Sequence, residues 1–192
     1  DNPDLKVDGI GVEVKAYDTK SFGLGRFGNQ SANRQLLSIA FGLKALLDKL
    51  NPSLKSSKRP PSLDTFNKFE LIKAFEIIID FDSNADLKTI APKYVPIGNI
   101  YQQIDSVLNG LGLTSGNFTA EEGAAAMLRL LLNTKLEKKP GFGGYIVNTR
   151  PDGKTDFYKV DKDHINGLTP EQILNGVKAN GAALIVNPAI LF

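Results

Sequence analysis

Apolar and polar residues alternate through Leu5–Val7 and Ile10–Ala16, with Asp8-Gly9 between the two runs. Period-two alternation predicts strands, and Asp-Gly favours a two-residue type I′ turn because both central residues tolerate positive φ. A loop of that length sets the register: Val7 opposite Ile10, Lys6 opposite Gly11, Leu5 opposite Val12, Asp4 opposite Glu13. Cross-strand partners share a face. Leu5, Val7, Ile10, Val12, Val14 and Ala16 are therefore predicted on one side, and Asp4, Lys6, Gly11, Glu13 and Lys15 on the other.

The period then lengthens. Leu36, Leu37, Ile39, Ala40, Leu43, Leu46, Leu47 and Leu50 recur at helical spacing, predicting a helix from an N-cap at Asn29 or Ser31 to Leu50, stopped by Asn51-Pro52. Asn51–Leu63, rich in proline and serine and carrying Lys55, Lys58 and Arg59, reads as a linker. Asp64 is placed to cap an amphipathic stretch through Phe66, Phe69, Leu71, Ile72 and Phe75. Ile77–Phe81 either extends that helix or turns into a buried strand, and periodicity does not decide between them. Asn99 precedes a helix closed by Gly110 and Gly112, and Thr119-Ala120-Glu121-Glu122 is a capping box ahead of Ala124–Leu132. Tyr145–Thr149 and Thr155–Val160 flank the turn signal Pro151-Asp152-Gly153-Lys154 and predict a second hairpin. Thr169-Pro170 opens a helix expected to end near Gly181. Ala182–Val186 reads as a short buried strand, and Pro188–Phe192 as an apolar tail in need of a groove or a partner.

Composition narrows the class. With 192 residues and 42% hydrophobic content the chain can bury a core, and it is expected to form one domain, 1–192, with a mainly helical insertion over 52–139. The net charge is +2, so a nucleic-acid partner would have to be met by local basic clusters. No cysteine is present, which excludes disulfides and zinc thiolates and agrees with a cytoplasmic location; a lone histidine, His164, excludes a multi-histidine metal site within one chain. No apolar run approaches membrane-spanning length, so no membrane association is expected.

The candidate chemistry lies on the first hairpin. Its register sets the Asp4 and Glu13 carboxylates opposite one another, about 5 Å apart at Cβ, with Lys15 further along the same side. Like charges so placed are relieved by water, by a retained proton or by a divalent cation, and hard oxygen donors select magnesium. Pro3-Asp4 followed by Glu13-Val14-Lys15 resembles the signature of the PD-(D/E)XK nucleases, the fold of many restriction endonucleases. The resemblance implies an α/β or α+β domain with a restriction-endonuclease-like mixed sheet flanked by helices. It further implies magnesium-dependent hydrolysis of DNA phosphodiester bonds, with Asp4 and Glu13 as metal-binding carboxylates, the Val14 carbonyl completing the metal shell, and Lys15 as the lysine of the catalytic strand. Some relatives carry a glutamine and, four residues later, a tyrosine on the following helix; here these positions hold Gln30 and Arg34. Lys20, Arg26, Gln30 and Arg34 are the expected DNA contacts. The family core places a helix and a strand ahead of the aspartate. Only three residues precede Asp4, so the sequence is expected to be the C-terminal part of a longer chain or to receive those elements from elsewhere. Cleavage of both strands implies a two-fold homodimer.

Two other readings stay open. The hairpin's charges also fit a plain solvated face, in which case the chain is a non-catalytic DNA-binding or assembly protein. Gly23-Leu24-Gly25-Arg26-Phe27-Gly28 is formally a GxGxxG, within a segment Asp18–Asn29 expected to be a loop, although the spacing to a preceding strand and a following acidic residue departs from the dinucleotide fingerprint. Arg150, Lys154, Lys159 and Lys162 on the second hairpin suit a DNA-facing ribbon, interleaved with Asp152, Asp156, Asp161 and Asp163.

Overall fold

The computed structural model describes residues 4–15, 22–26, 68–83, 98–137, 142–180 and 183–192. The expected helix to Leu50, the linker and the Asp64 cap lie outside them. In chain order the elements are β1 (Leu5–Val7), β2 (Ile10–Lys15), β3 (Phe22–Arg26), α1 (Lys68–Ser83), α2 (Gly98–Gly110), α3 (Ala120–Glu137), β4 (Phe142–Thr149), β5 (Thr155–Lys159), α4 (Lys162–Gly167), α5 (Pro170–Gly176), β6 (Val177–Asn180) and β7 (Ala183–Val186), followed by a 3₁₀ turn at Pro188–Ile190. The described residues form an α+β arrangement with two sheets. One is mixed, in the order β1-β2-β4-β5; the other has the order β3-β7-β6. Asp1–Arg26 with Leu128–Phe192 form one compact unit, and Phe27–Met127 a second. Among the described residues no helix is long and apolar enough to cross a membrane.

In the second unit, α1 resolves the ambiguity at Ile77–Phe81 in favour of helix. Leu71, Ala74, Phe75, Ile78 and Phe81 are all buried and keep the three- and four-residue spacing of one helical face, so packing outweighs the β-branched run. Helix α2 ends as expected on glycine. Gly112 takes φ +69, the Leu113 N–H reaches the Leu108 carbonyl at 2.9 Å and the Gly112 N–H that of Asn109 at 3.0 Å, a Schellman closure. The α3 capping box is formed: the Glu122 N–H donates to Thr119 Oγ1 at 3.2 Å, and the Thr119 N–H to the Glu122 carboxylate at 2.8 Å. Thr119→Ala is expected to cost about 1 kcal/mol, read as a lowered urea midpoint; an unchanged midpoint would show the cap to be dispensable.

In the first unit, β4 and β5 pair antiparallel as expected from Tyr145↔Lys159 to Thr149↔Thr155, and Gly153 takes φ +78 in the turn between them. The α5 start also forms, with Thr169 and Gln172 exchanging main-chain to side-chain hydrogen bonds. The helix ends at Gly176, however, and not near Gly181. Val177 is extended and pairs with Val186, so the sheet takes the segment from the helix. The expected loop Asp18–Asn29 contains strand β3, which pairs antiparallel with β7; its glycines accompany a register shift between Gly23 and Arg26. The apolar tail finds its cover within the chain. Pro188, Ile190 and Leu191 are buried, and the Phe192 ring stacks on Tyr158 with centroids 4.3 Å apart and planes at 8°.

The single histidine is structural: its Nε2 lies 3.0 Å from the Ala189 carbonyl. Helix α4 around it is capped at both ends. Asp161 accepts from the Asp163 and His164 N–H groups, and the Arg129 guanidinium donates to the Leu168 and Ile165 carbonyls.

Candidate functional site

The first hairpin forms three of its four expected pairs, Leu5↔Val12, Lys6↔Gly11 and Val7↔Ile10, with positive φ at Asp8 (50°) and Gly9 (81°); the fourth, Asp4 opposite Glu13, is not part of the ladder, because β1 begins at Leu5. Its second strand continues into the sheet by pairing parallel with β4: Glu13 opposite Ile146, Val14 opposite Val147 and Lys15 opposite Asn148. A parallel neighbour requires a long crossover, which here is the whole segment from β2 to β4.

The division of the hairpin into sides is where the structure departs from simple amphipathicity. Of the apolar set, Val12 is buried at 3% exposure, whereas Leu5, Val7, Ile10 and Val14 lie between 42% and 51% exposed. On β4 the buried residues are Ile146 and Asn148, the register partners of Glu13 and Lys15. The sheet packs through the side that holds Ile146 and Asn148. Its other side keeps an apolar surface in water, including Phe157 at 62% exposure, stacked on Tyr145 at 5.2 Å.

Asp4 stands at the entry to β1, and its Oδ2 accepts the Val14 N–H at 3.0 Å. With Val7↔Ile10 closing the turn as a hydrogen-bonded pair, alternation turns the main-chain groups of Val12 and then Val14 toward β1. The Asp4 carboxylate takes the place of a ladder acceptor and is held against the strand of Glu13, Val14 and Lys15. Hard oxygen donors, two carboxylates and a main-chain carbonyl, thus fall on neighbouring backbone positions, a donor set of the type magnesium accepts while keeping several waters. Among the described residues there is no group of three or more acidic or histidine side chains gathered for a metal.

The expected DNA contacts divide differently. Lys20, Gln30 and Arg34 lie outside the described residues. Arg26 ends β3 opposite Ala183, in the three-stranded sheet and not in the one carrying Asp4, Glu13 and Lys15. The first four positions of the GxGxxG are strand, not a phosphate-cradling loop.

Asn148 and Tyr158, which sequence reasoning left out, join charges of the second hairpin in a polar group on β4 and β5. Register places Lys15, Asn148 and Asp156 in one row across β2, β4 and β5, beside the row Glu13, Ile146 and Tyr158. Asn148 is fully buried. Arg150 Nε faces Asp156 Oδ2 at 3.0 Å, both atoms shut off from water, and lies 3.8 Å from Asp152. This is the fate of one cation expected on a DNA-facing ribbon. The Tyr158 hydroxyl donates to Asp156. Burial first, then the charge and hydrogen bond of Asp156, push the phenol above its ordinary value of 10.0, with Arg150 opposing. A phenol whose folded value is raised keeps its full stabilising contribution below 10.0 and loses it as pH rises through the folded value. Wild type is therefore expected to lose stability more steeply above 10.0 than Tyr158→Phe in urea titrations; parallel profiles would refute the coupling.

No family model, curated protein or solved structure matches this chain.

Proposed function

We propose that this chain is a magnesium-dependent deoxyribonuclease of the restriction-endonuclease-like class. The observation that carries the reading is the Asp4 Oδ2 to Val14 N–H hydrogen bond of 3.0 Å, which fixes the aspartate against the strand of Glu13 and Lys15. A mixed sheet in which that strand is antiparallel to β1 and parallel to β4 agrees with it.

Asp4, Glu13 and the Val14 carbonyl would hold the magnesium ion. When bound, the ion polarises a phosphoryl oxygen and lowers the pKa of a coordinated water. Lys15 supplies an ammonium on the same strand that orients the attacking water and offsets the charge developing on the phosphorane. The Val14 N–H holds the Asp4 carboxylate in place, so the aspartate keeps its position without the cation. Expected contacts to DNA come from Arg26 and from Lys20, Gln30 and Arg34.

The test is nicking of supercoiled plasmid with and without magnesium, wild type beside Glu13→Ala and Lys15→Ala. Magnesium-dependent nicking lost in both variants is expected. Cleavage retained in Glu13→Ala would remove the assignment.

One observation favours a second reading, a non-catalytic assembly protein: the exposed side chains of Leu5, Val7, Ile10, Val14 and Phe157. A folded wild type that cuts no DNA in magnesium is the result that reading requires.

A further inference from the structure

Six large apolar side chains are exposed among the described residues, and five of them, Leu5, Val7, Ile10, Val14 and Phe157, belong to the four-stranded sheet. Register puts all five on one side. Leu5 pairs with Val12 and Val7 with Ile10, while Val14, Val147 and Phe157 form a continuous row across β2, β4 and β5. Tyr145, stacked on Phe157 at 5.2 Å, extends the same side. Of the described strand positions on that side only Lys159 is charged, and it stands on β5, at the end of the strand order.

A contiguous apolar patch of several hundred Å² on a sheet surface marks an association site. The five side chains, each between 42% and 62% exposed, leave about 400 Å² of apolar surface open. A standard interface takes about 800 Å² from each partner, about 65% of it apolar in homodimers. With the half-buried Tyr145 and Val147 the patch comes close to that apolar share. Apolar rows with a single charge at the margin are complementary to themselves, which is what an isologous two-fold contact requires.

We propose that this side of the sheet is the contact with a second copy of the chain, the two sheets stacked face to face about 10 Å apart as in a β-sandwich. The contact rests on the same exposed side chains as the assembly reading and gives it its partner. It uses none of Asp4, Glu13 and Lys15, so it stands whether or not the chain cuts DNA.

Sedimentation velocity of the full-length chain, from about 1 to about 100 µM, is the test. Wild type is expected to reach twice its 20.8 kDa mass within that range. Val7→Lys and Phe157→Lys, both at exposed positions, are expected to raise the dissociation constant at least about 30-fold. A wild type that stays monomeric, or a dimer that both folded variants leave intact, overturns the proposal. Should the lysine variants fail to fold, a milder change decides. The chain has no cysteine, so Val7→Cys can be labelled with a maleimide, with Phe69→Cys on α1, 63% exposed in wild type, as reference. Labelling at position 7 is expected to slow several-fold as the protein concentration rises, and at position 69 to stay constant. Protection at position 7 that does not change with concentration means that the same chain covers the patch and overturns the proposal, as does labelling at the reference rate throughout. Plasmid nicking by the same preparations decides the nuclease reading separately.

Discussion

Asp4→Asn is expected to reduce magnesium-dependent cleavage by roughly 10²-fold or more while changing the unfolding free energy by less than about 0.5 kcal/mol. The two effects separate because the carboxylate has two duties. As an acceptor for the Val14 N–H it completes the end of the β1–β2 ladder, and an amide oxygen can do the same. As an anion it would bind the cation, and an amide cannot replace it there. Asp4→Ala removes both, adding the loss of one solvent-exposed hydrogen bond, about 0.5–1.5 kcal/mol. Plasmid nicking beside urea denaturation of the same preparations checks the pair. Cleavage by Asp4→Asn at the wild-type rate would leave the hairpin as scaffold.

The largest effect on stability is expected at Phe75. The side chain is fully buried in α1, its ring meets Phe118 edge-on with centroids 5.9 Å apart, and a Cβ built on Gly123 would lie 2.5 Å from its Cδ1. The absence of a side chain at position 123 is what lets the ring lie against α3. Phe75→Ala leaves a cavity beside the Phe118 ring and the α3 backbone at Gly123, neither of which relaxes readily into it, so a loss of about 3–5 kcal/mol is expected. A loss below about 1 kcal/mol in denaturant titrations would mean that this core collapses to fill the gap.

What the amino-acid order made legible was local. Asp8-Gly9, Pro151-Asp152-Gly153, the Thr119 and Thr169 caps and Gly112 all act within a few residues, and each forms as its chemistry dictates. Hidden features depended on partners distant in sequence. Alternation divides the first hairpin into sides but does not say which one packs; that is decided by Ile146 and Asn148 on β4. Glycine weakens the strand signal of Phe22–Arg26, and pairing with β7 supplies what propensity lacks. Val177 looks like the continuation of a helix until Val186 is known to lie beside it. The candidate site divides in the same way. The proximity of Asp4 to the Glu13–Lys15 strand follows from a two-residue turn, whereas the row through Asn148 and Asp156 requires the parallel pairing, which no local pattern announces.

That parallel pairing joins residues about 130 positions apart in sequence, Lys15 with Asn148. The first hairpin, closed by a two-residue turn, has the dimensions of a structure that forms in microseconds, whereas its union with β4 must await closure of a loop of about two thirds of the 192 residues. During synthesis from the N-terminus, Asp4 and Glu13 emerge long before Asn148 is made. Until β4 docks, β2 has an unpaired edge of the kind that recruits foreign strands. Completion of the surroundings of β2 is thereby a late kinetic event.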